Sequence, residues 1–256
     1  METSMKTYQL DQRRSLLFPG NADQTLAYAT SHWVKTAQDA IEDHNFFAVA
    51  LSGGSTPKKI FQNLAQQHAQ SLDWSKVWLF WSDERSVSPD HPDSNFHMAM
   101  VDAGLNRLPF ASTHIHRMVA EQDLAANSLA YESLIKKTLQ GRPFDLIMLG
   151  MGDDGHTASL FPHTEGVHAH GRLVIANYIP QKQTWRMSFT FECINQASSI
   201  CIYVIGANKA PVVQKVLFST HDPDTYPSQN LGNVAHPATW ILDDAASTQI
   251  LQSIQR

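Results

Sequence analysis

The chain has 256 residues, 43% hydrophobic and 17% charged, an ordinary globular composition with enough apolar material for a full core. Nineteen Lys and Arg against 24 Asp and Glu leave a net charge of −5 without a basic stripe, which argues against nucleic acid as a partner. No run approaches the length of a membrane span, residues 1–20 lack a signal-like apolar core, and the two cysteines, Cys193 and Cys201, make no disulfide framework, so a cytoplasmic protein is expected.

A helix is expected over 21–41, capped by Asn21 or Asp23, with Leu26, Ala29, Trp33, Val34, Ala37 and Ile41 on one face. Residues 46–51, FFAVAL, read as a buried strand ending at SGGSTP, 52–57, ahead of a helix from 57 to 67 whose first turn accommodates Pro57. In that connection Gly53, Gly54, Ser55 and Thr56 can turn several N–H and O–H donors toward one point, as a phosphate cradle does. A second buried strand, VWLFW at 77–81, leads into Asp83-Glu84-Arg85, and Ser94 is placed to cap a helix reaching about 105. Residues 114–118 suggest a short strand, and 122–140 a long amphipathic helix stopped by Gly141.

The stretch DLIMLGMGDDGHTASLFP, 145–162, holds the densest chemistry. Its apolar run reads as a strand buried on both faces, and Gly150, Gly152 and Gly155 follow at once, free to take positive φ and to pass close to other groups. Asp153, Asp154 and His156 thereby fall at a strand's carboxyl end, where open α/β sheets bind ligands. TASLF, 157–161, reads as a short helix whose free N–H groups would lie beside His156 and face an anion. Strands follow at 172–177, 185–191 and 199–205, then a helix over 206–218, a loop over 219–238, a strand at 240–243 and a closing helix at 244–254. Strands alternating with helices, without linker or repeat, predict one α/β domain over 1–256: a three-layer α/β/α, Rossmann-like fold on a mostly parallel sheet. The turn at 52–57 lacks the G-x-G-x-x-G spacing, so no dinucleotide cofactor is expected.

Three motifs stand in fixed order: LSGGSTP at 51–57, WSDERSVSPDHPDSNF at 81–96 and GMGDDGHTASLFP at 150–162. Together they resemble the 6-phosphogluconolactonases of the pentose phosphate pathway, whose wider fold family includes glucosamine-6-phosphate deaminase and ribose-5-phosphate isomerase. The resemblance spans about 25–250, through WRMSFT at 185–190, GANKA at 206–210 and WILDDAA at 240–246. Arg85 as third member of the acidic triplet, and TASLFP after His156, separate the chain from the deaminases; Asp153 departs from the pattern, standing where many lactonase-like chains carry proline.

What the resemblance implies is hydrolysis of 6-phospho-D-glucono-1,5-lactone to 6-phospho-D-gluconate without cofactor or metal. His156 is the one side chain of the glycine loop that titrates near neutrality unperturbed, which suits a general base that later protonates the leaving ring oxygen. Asp154 is placed to orient the imidazole, as a triad carboxylate does. Arg85 is expected to neutralise the oxyanion or hold a substrate oxygen, and Asp83 to bond sugar hydroxyls or orient Arg85. Gly53, Gly54, Ser55 and Thr56 would hold the phosphate, and the resemblance adds Arg186 and Lys209 to them; the six tryptophans are expected at core and strand positions, with pocket lining the alternative for Trp185 beside Arg186. His163, His168 and His170 cluster locally, but their spacing matches no zinc motif. Two rivals stand beside this reading: a deaminase or isomerase of the same fold, and a non-catalytic sugar-phosphate sensor, which the intact Asp154/His156 pair and the lack of room for a partner module disfavour. The expected partner is the sugar-phosphate lactone alone, bound by a monomer or weak homo-oligomer.

Overall fold

The structure, a computed structural model, describes residues 6–254. In chain order it runs β1 (Lys6–Gln9), β2 (Arg14–Gly20), α1 (Ala22–His44), β3 (Phe47–Leu51), α2 (Ser55–Gln67), β4 (Val77–Trp81), β5 (Asp83–Arg85), α3 (Asn95–His97) and α4 (Leu124–Leu139). It continues through β6 (Leu146–Leu149), β7 (Val174–Ile179), β8 (Thr184–Phe189), α5 (Phe191–Ile194), β9 (Ile200–Val204), α6 (Ala210–Phe218), β10 (Ala238–Asp243), α7 (Asp244–Ser247) and α8 (Leu251–Ile254).

Seven strands form the main sheet in the order β1-β2-β10-β9-β6-β3-β4, and every pairing except β1 with β2 is parallel. Strands β3, β6 and β9 are buried throughout, which is why they read as unbroken apolar runs. Helix α1 starts on a capping box, in which Asn21 Oδ1 accepts from Gln24 N–H (3.0 Å) and Gln24 Oε1 from Asn21 N–H (2.9 Å). Its Trp33 meets Phe47 edge-on at 5.0 Å. Phe80 instead meets Tyr131 of α4, at 6.3 Å. In the β3–β4 register Phe47 pairs with Val77, so Phe47 and Phe80 project from opposite faces of the pleat and α1 and α4 cover opposite sides. The three expected layers follow.

A second, antiparallel sheet, β5-β8-β7, stands beside the first. Helix α4 packs on it, and Glu132 fastens the two. The Glu132 carboxylate accepts from Lys136 Nζ (2.6 Å), Arg172 Nε (2.8 Å) and the amide of Leu173 (2.9 Å). Burial works against its ionisation, and these donors pull its pKa down to about 2.

Several elements differ from expectation. Neither β1 and β2 nor the three-residue β5 was legible: β1 and β5 are short edge strands, and the seven residues of β2, an interior strand, mix polarity without a period. The helix expected from Ser94 to 105 is the short α3 followed by a π turn over Met98–Asp102, and 114–118 makes only an isolated bridge, Leu79 with Ile115. Most consequential, 157–161 is not a helix. Ala158 has φ +47°, and Thr157 and Leu160 bridge across a turn (Leu160 N–H to Thr157 O, 2.9 Å), so the helical N–H groups expected beside His156 do not form.

Candidate active site

Four neighbouring parallel strands, β9, β6, β3 and β4, bring their carboxyl ends to one edge of the sheet. The segments that leave them enclose a cavity of about 210 Å³. Its lining includes Gly53, Gly54, Ser55 and Thr56 after β3, Asp83 and Arg85 beyond β4, His156 after β6, Arg186 from β8 and Lys209 after β9. Nine of the ten residues expected from sequence therefore meet in one place, and Asp154, the tenth, stands directly behind His156.

The loop after β6 is shaped to hold the imidazole. Gly155 takes φ +81°, and the chain folds back so that Gly152 N–H donates to His156 O (2.9 Å). A Cβ on Gly152 would lie 2.1 Å from the ring of His156, so only glycine lets the ring sit there. Asp154 Oδ1 lies 2.5 Å from His156 Nδ1 and also accepts from its backbone N–H (3.1 Å). Burial opposes the charge on Asp154, yet the hydrogen bond and the proximity of His156 hold its carboxyl below the usual range. With Nδ1 turned to the carboxylate, the other ring nitrogen, Nε2, is left for substrate. The ring stacks on Phe161 (centroids 3.8 Å apart), and Arg186 Cζ lies 5.5 Å from the same Phe161 ring, so one aromatic side chain locates both groups.

The anion-binding end of the cavity is built from β5 and β8. Their antiparallel register sets Arg85 directly opposite Arg186, two like charges, and both Nε atoms are buried without a partner among the described residues. Burial pulls the Arg186 guanidinium down, Asp83 opposes that, and Arg85 adds to it. Such a pair is an unfilled demand for negative charge. Lys209 Nζ is held by Asp153 Oδ1 (2.6 Å) and Met151 O (2.9 Å), which gives the unexpected acid at 153 a defined contact. Helix α2 begins at Ser55 after Gly54 at φ +103°, leaving its first-turn amides toward the cavity.

Two alternatives raised by the sequence fail. Asp83 does not hold Arg85: its carboxylate accepts from Ser159 Oγ (2.7 Å) and Asn95 Nδ2 (3.2 Å), while Arg85 donates to Asp93 O (2.6 Å). Trp185 takes the strand position expected by default, in β8, and the alternative that it lines the cavity fails: alternation sends it to the opposite side from Arg186, where it packs half-exposed against Tyr178 (5.3 Å). Glu84, Asn95, Ser159 and Phe161, none of them expected from the sequence, stand behind the lining and hold it: Asn95 and Ser159 bond the Asp83 carboxylate, Glu84 accepts from the Arg85 amide, and Phe161 stacks on His156. The one available signal was the alternation of Asp83-Glu84-Arg85, which turns Glu84 inward if its neighbours face the cavity. His163 and His168 flank Asp224 (3.1 and 3.0 Å), and among the described residues no group of three or more His, Cys, Asp or Glu is arranged to hold a metal ion.

A family model described as glucosamine-6-phosphate isomerases/6-phosphogluconolactonase matches residues 20–240. A curated 6-phosphogluconolactonase of Nostoc sp. is 39% identical over 236 residues, covering 89% of this chain and 95% of its own. One from Chlamydia muridarum is 36% identical over 233 residues, covering 91% of this chain and 89% of its own. The solved structure of 6-phosphogluconolactonase from Trypanosoma cruzi aligns with a TM-score of 0.80 at 26% identity, over 91% of this chain and 95% of that one.

Proposed function

The chain belongs to the glucosamine-6-phosphate isomerase/6-phosphogluconolactonase family, and we propose a division of labour for the reaction of its lactonase branch, hydrolysis of 6-phospho-D-glucono-1,5-lactone to 6-phospho-D-gluconate in the pentose phosphate pathway. The enzyme is a hydrolase of this lactone. His156 Nε2 takes a proton from the water that attacks C1, a step worth roughly 10²–10⁴-fold. Asp154 fixes the tautomer through Nδ1 and stabilises the imidazolium that forms. Negative charge develops on the carbonyl oxygen and is met by Arg85. When the tetrahedral intermediate collapses, the C1–O5 bond breaks and the imidazolium returns its proton to O5, leaving the acid and a restored base. Gly53, Gly54, Ser55 and Thr56 hold the 6-phosphate with Arg186 and Lys209, and Asp83 offers its remaining lone pairs to sugar hydroxyls. The chain acts as one domain over 1–256, in the cytoplasm, as a monomer or weak homo-oligomer.

The observation that carries this assignment is the Asp154–His156 contact of 2.5 Å on the rim of a cavity that is also lined by Arg85 and Arg186, whose buried Nε atoms have no partner among the described residues. The test compares lactone decay with and without enzyme, because the ester also opens unaided. Arg186→Ala should raise KM for the phosphorylated lactone about tenfold or more, the loss expected when a charged hydrogen bond goes, and leave the unphosphorylated lactone little changed. An equal effect on both lactones refutes the phosphate assignment, and ammonia release from glucosamine 6-phosphate would favour the deaminase instead.

A further inference from the structure

Of the triplet Asp83-Glu84-Arg85, the two outer side chains line the cavity and the middle one turns away from it into the protein, where Glu84 is only 3% exposed. An ionised carboxylate so buried is retained only where donors satisfy it. Four do. Oε1 accepts from the amides of Arg85 and Asn95 (both 2.8 Å), and Oε2 from the amide of Phe96 (2.8 Å) and the hydroxyl of Ser94 (3.0 Å).

These donors lie at both ends of one loop. Arg85 begins the segment 86–93, and Ser94, Asn95 and Phe96 end it at the first turn of α3, whose free amides Glu84 shares with the capping hydroxyl of Ser94. The last residue before that clamp is Asp93, and its carbonyl oxygen is the acceptor that Arg85 reaches with its guanidinium at 2.6 Å. The clamp continues outward. Asn95 donates to Asp83 O (2.9 Å) and Oδ1 (3.2 Å), and its own Oδ1 sits where a Cβ on Gly53 would lie 1.9 Å away. One buried carboxylate thus fixes the relative places of Arg85, Asp83 and the start of the phosphate turn. His156 and Asp154 are held by their own loop and take no contact from Glu84.

We propose that Glu84 is a positioning residue of the hydrolytic site: by clamping both ends of the 86–93 loop it sets the Asp93 carbonyl and, through it, the aim of the Arg85 guanidinium at the oxyanion. The inference rests on the lactonase reading given above. Because Arg85 acts on charge that develops in the transition state, a misaimed guanidinium costs turnover more than substrate binding.

Glu84→Gln keeps the shape of the side chain and one carbonyl oxygen for Arg85 and Asn95, but sets an amide group against the Phe96 N–H. The expected result is a kcat about tenfold lower with KM changed less than about twofold. In an Arg85→Ala background the same change should have little further effect on kcat, since the group it positions is gone. Losses that multiply independently in the double variant, or a Glu84→Gln enzyme with wild-type kcat, overturn the proposal. If Glu84→Gln does not fold, Ser94→Ala removes one donor only and must show the same non-additivity with Arg85→Ala; an additive result there is equally decisive against it. Wild-type protein that fails to accelerate lactone decay would instead remove the underlying reading.

Discussion

Asp154 and Gly152 decide whether His156 can serve as a base. Asp154→Asn preserves shape but offers Nδ1 a partner that no longer requires the Nδ1–H tautomer, and kcat is expected to fall about 10²–10⁴-fold with little change in KM, as when a triad carboxylate is neutralised. A loss confined to KM would place Asp154 in binding. Since the pKa of Asp154 is depressed in the folded protein, its charge persists above the ordinary carboxylate range and is lost only as pH falls below it, so acid inactivation near neutrality does not come from Asp154. Gly152→Ala acts on the same pair by sterics: its Cβ would fall 2.1 Å from both Cε1 and Nδ1 of His156, so the ring must leave its place on Phe161. Turnover should drop at least about tenfold while thermal unfolding stays near wild type, because the displaced group lies at a loop surface. Unchanged turnover would show that the ring has another productive position.

Among the elements, long periodic helices and buried strands were readable and short or context-bound ones were not. Helices α1, α2 and α4 and strands β3, β4, β6 and β9 announce themselves through stripes, caps and apolar runs. The turn at 157–161 has a helical composition but must bring Ser159 to Asp83 and Ser188, and those contacts outweigh local propensity. Strand β5 exists because Asp83, Glu84 and Arg85 pair with β8, a partner about a hundred residues away that no local window contains. The joint between α4 and β7 supplies a stability prediction. Glu132 has a folded pKa of about 2, below its unfolded value, so its contribution is present above the ordinary carboxylate range and fades as pH falls toward about 2. Glu132→Gln should therefore cost about 2 kcal/mol near neutrality in urea unfolding, with the gap to wild type closing on acidification. A gap independent of pH would mean that packing, not the charge, is what the position supplies.

For the molecule as a whole, function follows from a sheet order that differs from chain order. Strands β9, β6 and β3 lie side by side although other strands separate them in the chain, and that permutation sets the glycine loop between the phosphate turn and Lys209. The convergence of the candidate residues at one edge was expected from polar loops at successive strand ends, and the cavity bears it out; which strands become neighbours was not legible, since no local window shows long-range pairing. Phe161 illustrates the difference, an unremarked apolar residue in the sequence that in three dimensions touches both the imidazole and the Arg186 guanidinium. The measurement that bears most directly on this arrangement is the rate of 6-phosphoglucono-1,5-lactone opening with wild type, with His156→Ala and in buffer alone. Wild type should open the lactone far faster than buffer, and His156→Ala should lose roughly 10²–10⁴-fold of that rate. A His156→Ala protein as fast as wild type would contradict the account.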